Sequence, residues 1–68
     1  MNELIFLVEE APEGGYTARA LGYSIFTDAG NLDQLRLNVR EAAACHFEEG
    51  QGPQLIRLHF VRQEVIAP

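Results

Sequence analysis

Residues 3–8, ELIFLV, are the stretch that most limits what this chain can become. Its β-branched and aromatic side chains favour a strand, and alternation then sends Leu4, Phe6 and Val8 to one face and Ile5 and Leu7 to the other. Both faces are apolar, so the strand needs cover on both sides, a helix on one and something else on the other. The chain has only 68 residues with which to supply it. A domain of that size buries only about 60% of the surface its unfolded chain exposes. One cysteine makes no internal disulfide, and no Cys-x-x-Cys pair is present to bind a stapling metal. Apolar residues nevertheless form 47% of the sequence, more than so small an interior hides, which predicts burial against a second copy or a partner.

The turn and period signals place the other elements. EEAPEGG carries Pro12 and the Gly14-Gly15 pair, a reversal signal because glycine takes positive φ at no steric cost. YTARAL (16–21) alternates Tyr16, Ala18 and Ala20 against Thr17, Arg19 and Leu21; after Gly22, YSIFT (23–27) reads as a third short strand. From Asn31 the period changes. Leu32, Leu35, Val39, Ala42, Ala43, His46 and Phe47 recur at spacings of three and four, predicting an amphipathic helix from about 32 to 49 that Gly50 and Pro53 end. Asn31 is a good N-cap, Gln34 completes a capping-box pattern, and Asp33 suits the positive end of the helix dipole. QLIRLHFV (54–61) alternates again, Leu55, Arg57, His59 and Val61 against Ile56, Leu58 and Phe60, and EVIA extends it or adds a short fifth strand. The expected fold class is α+β, in the order β-β-β-α-β: a small antiparallel-type sheet with one helix packed on a face, in one domain spanning residues 1–68.

Ten acidic and five basic residues give a net charge of -5, which disfavours a phosphate backbone and favours a basic protein surface. No nucleic-acid partner is therefore expected. No apolar run approaches the roughly 20 residues of a membrane helix, and the N-terminus lacks a basic segment followed by an apolar one, so a cytoplasmic protein with no membrane contact is expected. Cys45, His46 and His59 invite a metal or nucleophile hypothesis, but adjacent helical residues point about 100° apart and do not converge easily. Cys45 reads better as a small, partly buried apolar residue and His46 as the margin of the packed stripe. Glu9, Glu10 and Glu13 crowd the first hairpin and Glu48 and Glu49 the helix end, beside turns where water reaches them; they suit attraction of a basic partner better than acid–base chemistry. Gly14-Gly15 has no following helix or Lys-Ser/Thr pair and is no phosphate loop. No enzyme, metal site or organic cofactor is expected; the chain is too small to enclose the last by itself. Arg36 and Arg40, with Leu37 beside them on the polar side of the helix, are either solvated residues or part of a protein contact; Arg57 and His59 on the outer face of the last strand are either solvent-facing residues or the rim of an interface built by pairing strand edges.

Taken together, FLVEEAPEGGYTARA, TDAGNLDQLRLNVREAA and the closing strand resemble the HicB-like antitoxin family. The residues that carry the resemblance are Gly14, Gly15, Tyr16 and Ala18, then Asn31, Leu32, Leu35, Asn38, Glu41 and Ala42. Two departures stand out: ALGYSIF replaces the usual Pro-x-Leu-Pro-Gly between the second and third strands, and Asn31 stands at a capping position usually held by Thr, a harmless exchange. The resemblance implies a partial ribonuclease-H-like fold without nuclease carboxylates. It also implies a function: covering the active surface of a small basic toxin that cleaves messenger RNA, in dimers or larger assemblies. Longer members add a C-terminal DNA-binding domain, for which these 68 residues leave no room, so operator binding by this chain is not expected.

The leading expectation is thus a non-catalytic, antitoxin-like binding module, with Glu9, Glu10, Glu13, Tyr16, Arg19 and Tyr23 as candidate partner contacts. Ile5, Leu7, Arg57 and His59 are the candidate residues for a homo-oligomer interface. The alternative is a solitary homo-oligomeric structural or accessory protein of the same fold, with no toxin partner.

Overall fold

The computed structural model describes residues 2–68, in which four strands form one sheet and one helix packs on it. Strand β1 (Glu3–Glu10) is central and long because its apolar side chains alternate without a break. Its end is set by the turn the glycines allow: Ala11 N–H donates to Gly15 C=O and Gly14 N–H to Ala11 C=O, both at 3.0 Å, with Gly14 and Gly15 at φ of 100° and 82°. Strand β2 (Tyr16–Ala20) then returns antiparallel, with Tyr16 opposite Glu10 and Ala20 opposite Phe6.

Strand β3 (Phe26–Ala29) begins three residues later than the expected 23–27. Ala20 N–H donates to Ile25 C=O at 2.9 Å and Gly22 takes φ of 84°, so residues 21–24 form the connection and Ile25 turns its side chain into the core. The helix α1 (Leu32–His46) starts where the cap predicts: Asn31 Oδ1 accepts from Gln34 N–H at 2.8 Å. The return half of the capping box does not form, because the Gln34 amide donates to Asn38 Oδ1 instead. The helix ends at His46, short of the expected 49, with Phe47 in extended backbone as its C-cap. Two carboxylates, Glu48 and Glu49, would oppose the helix dipole in a longer last turn.

The sheet is mixed rather than antiparallel throughout. Its order is β3-β2-β1-β4, and β4 (Leu55–Val61) lies parallel to β1, Glu3 opposite Leu55 and Glu9 opposite Val61. The reason is the helix: a crossover along one face brings the chain back to the end from which β3 and β1 both start, so the next strand must run parallel to them. No fifth strand forms at residues 64–67.

The core lies between the helix and one sheet face. Leu4, Phe6 and Val8 from β1, Ala18 and Ala20 from β2, Ile25, and Leu35, Val39 and Ala43 from α1 are buried. Small side chains on β2 let the helix approach β2 and β3 closely, while the large ones of β1 fill the greater depth beside it. A further tie joins α1 to β3, where Asn38 Nδ2 donates to Asp28 C=O at 2.8 Å. The turn and β3 are also in close contact: a Cβ on Gly15 would stand 2.6 Å from the Ala29 carbonyl oxygen, whereas one on Gly14 would meet open space. Gly15→Ala is therefore expected to cost about 2–4 kcal/mol and Gly14→Ala about 1, as read from urea unfolding; equal costs would show that the contact with β3 is unimportant.

Candidate functional site

Among the described residues no element packs on the sheet face turned away from the helix. Alternation places Ile5, Leu7 and Glu9 of β1, Thr17 and Arg19 of β2, Phe26 and Asp28 of β3, and Arg57, His59 and Val61 of β4 on this side. The register sets them in rows. One runs across all four strands as His59, Leu7, Arg19 and Phe26, and the next joins Val61, Glu9, Thr17 and Asp28. Ile5 stands opposite Arg57.

The four residues expected at an oligomer contact therefore form one block, Ile5 and Leu7 half-buried and Arg57 and His59 exposed. Neither apolar residue belongs to the buried core. Arg57 Nε donates to Glu3 Oε1 along the block's lower edge; the bond first, and the carboxylate charge second, raise the guanidinium above its ordinary pKa. Phe26, absent from the sequence expectation, adds an aromatic ring 64% exposed, the most exposed large apolar side chain of this face. The third-strand shift is what concealed it: a strand at 23–27 gave no register against Arg19.

The six expected partner contacts are not gathered in one place. Glu9 is half-buried on the open face, Glu10 is exposed at the end of β1, and Glu13 is exposed in the turn, so the three carboxylates mark the turn end of the sheet together with Asp28. Arg62 lines the same recess as Glu9 and Glu10. Tyr16 leans to the helix side against the core, Arg19 stands on the open face, and Tyr23 lies beyond the other end of β2. There Tyr23 packs edge-on against Phe47 and His46, with ring centroids 5.3 and 5.9 Å away. Its role is to close the helix end.

Cys45 is exposed, not partly buried as expected, because the packed stripe of α1 runs through Leu35, Val39 and Ala43 and leaves residue 45 on the far side. Among the described residues no three His, Cys, Asp or Glu side chains stand where they could hold a metal ion. Among the same residues no helix is long and apolar enough to cross a membrane.

Two relatives of near-equal length match. A UPF0150 protein of Archaeoglobus fulgidus is 62% identical over 55 residues, which cover 81% of this chain and 82% of the relative. One of Thermotoga maritima is 35% identical over 66 residues, 97% of this chain and 93% of the relative. The chain belongs to the UPF0150 family. The second match spans nearly every residue, so the UPF0150 likeness includes sheet and helix alike. No protein-family model matches the chain, and no solved structure matches it.

The two faces of β1 make different demands on stability in this UPF0150 chain. Phe6→Ala is expected to cost about 3–5 kcal/mol, and Leu7→Thr no more than about 1, by chemical unfolding of the purified chain. A Leu7 cost as large as that of Phe6 would show that the open face is part of the core.

Proposed function

We propose that this protein is a non-catalytic binding module of the HicB-like antitoxin type, which masks a small basic ribonuclease acting on messenger RNA. The observation that carries the proposal is the open sheet face: apolar side chains at Ile5 and Leu7 and, across Arg19, at Phe26, with the carboxylates of Glu9 and Asp28 in the next row and those of Glu10 and Glu13 at the turn end of the sheet. An apolar centre gives affinity once water is excluded, and a charged border guides a partner of opposite sign. The net charge of -5 acts in the same direction over longer range. Membership of UPF0150 is compatible with the HicB-like resemblance of the turn and helix motifs.

Masking of this kind needs no catalytic group on the chain itself. A basic ribonuclease presents cations where it holds the RNA phosphates; a sheet that covers them and offers carboxylates in their place blocks the substrate by position and charge. Arg19 and the Arg57–Glu3 pair then stand inside the contact, where they select a partner carrying acceptors as well as cations.

The test is capture of bound proteins from native lysate at low and high salt, followed by a messenger-RNA cleavage assay of any small basic protein recovered, with and without this chain. Inhibition of cleavage is expected. Replacing Glu9, Glu10 and Glu13 together by Lys is expected to weaken the complex by about tenfold or more and to flatten its salt dependence, while far-UV circular dichroism stays unchanged. Unchanged affinity would remove the carboxylate border from the mechanism, and a recovered ribonuclease that this chain does not inhibit would overturn the proposal.

A further inference from the structure

The sheet has two free edges, and they differ. Strand β3 is four residues long, and its Asp28 carbonyl is already taken by the Asn38 side chain. Strand β4 is seven residues long, contains no proline, and has no strand beyond it among the described residues. Leu55 N–H is directed to Asn2 C=O on the β1 side at 2.9 Å. Alternation along a parallel strand therefore turns the N–H and C=O groups of Ile56, Leu58 and Phe60 outward, toward a strand that this chain does not supply. An edge of this length and apolarity is a template for another strand.

Side chains at the same edge are also incompletely covered. Ile56, Leu58 and Phe60 face the helix side, but α1 lies over β2 and β3 and leaves a groove beside β4 lined by Val39, Arg40, Pro53, Ile56 and Leu58. Phe60 is 51% exposed although it points to the side on which the core lies. Leu58 and Ile56 are only half-buried.

We infer that two copies of this chain associate through β4, antiparallel about a two-fold axis that runs perpendicular to the sheet midway between the two Leu58 residues. The edge is complementary to itself. Because the outward groups belong to even-numbered residues, a symmetric antiparallel pair must set even against even, and a centre at Leu58 pairs the whole of β4 with its mate. Ile56 then meets Phe60 of the other copy, and Leu58 meets Leu58. A centre at Arg57 would set two guanidinium groups directly opposite, which is unfavourable. The chosen register places Phe60 of each copy beside Ile56 of the other on the helix side, in the groove its own helix leaves open. Residues beyond Val61 continue along the partner copy's 50–53 loop, among them Val65 and Ile66, 95% and 76% exposed in the single chain. In the structure the tail does not fold back on its own groove, since Val65 and Ile66 stand almost free of contact. The result is a closed, isologous dimer with one continuous sheet.

This inference does not rest on the antitoxin reading, since it concerns the purified chain alone. Sedimentation over a range of concentrations should give twice the 7.6 kDa chain mass. Phe60→Glu should weaken association on the order of 30-fold or more and leave far-UV circular dichroism unchanged. In the unmodified dimer the amides of Ile56, Leu58 and Phe60 should exchange with solvent slowly, and faster on dilution. A chain that stays monomeric to millimolar concentration would overturn the inference, as would a dimer whose three amides exchange as freely as an open edge. So would a dimer indifferent to Phe60→Glu but abolished by Leu7→Glu, which would place the contact between copies on the open face.

Discussion

An α-helix is about 10 Å across, and four strands spaced by about 4.8 Å make a sheet nearly twice that width. One helix therefore cannot cover even one face of this sheet, and the rest of the structure follows from where it sits. Ala18 and Ala20 let it sink onto β2, while Leu4, Phe6 and Val8 fill the space under its flank. At β4 the cover runs out. Ile56 and Leu58 are half-buried there, and Phe60 is half in water. On the opposite side no described element lies over the sheet, and Ile5 and Leu7 are only half-buried. The apolar surplus visible in the composition is thus distributed to two definite places, an open face and an open edge.

Those two places were legible to different degrees. The two apolar faces of ELIFLV were legible directly, because strand alternation needs no tertiary information, but the cover expected on both is supplied by this chain on the helix side alone. The block of Ile5, Leu7, Arg57 and His59 was legible from alternation in both strands, although its assembly depends on β4 lying beside β1. The position of β4 beside β1 was the harder inference, since a helical connection can return a chain to either edge and local pattern does not say which. Phe26 and Tyr23 were misjudged together. The segment YSIFT alternates as a strand should, but Gly22 and the Ala20–Ile25 bond place the bend inside it, so Tyr23 goes to the helix end and Phe26 starts the strand. The early helix end has a similar cause. Phe47 fits the apolar stripe by spacing, yet it leaves the helix as its C-cap with its ring against Tyr23.

Asn38 shows how one polar residue can settle what an edge does. It accepts from Gln34 and donates to the Asp28 carbonyl, so a helix residue occupies a hydrogen-bonding group of β3. Together with the short length of β3, that contact makes the far edge a poor template for a second chain. Among the described residues no helix side chain bonds the backbone of β4 in the same way, α1 making its closest approach to β3 and β2. The asymmetry of the two edges is therefore a further outcome of helix position.

A two-fold axis perpendicular to the sheet puts both helices on one side and both open faces on the other. Pairing through β4 would then leave the open faces free and join them into one surface, with Arg57 and His59 of the two copies at its centre and a carboxylate-bearing turn at each outer end. A partner of the kind proposed would meet two equivalent sites on one rigid support. The edge and the face would thus be used at the same time, the edge relieving the marginal stability of so small a domain and the face remaining available for recognition. In that arrangement mutations at Phe60 would reach the partner only through the number of linked sites, whereas mutations at Leu7 or Glu9 would act at each site separately. Affinity for a single partner molecule would distinguish the two classes, because losing the second copy lowers avidity and leaves the intrinsic contact intact.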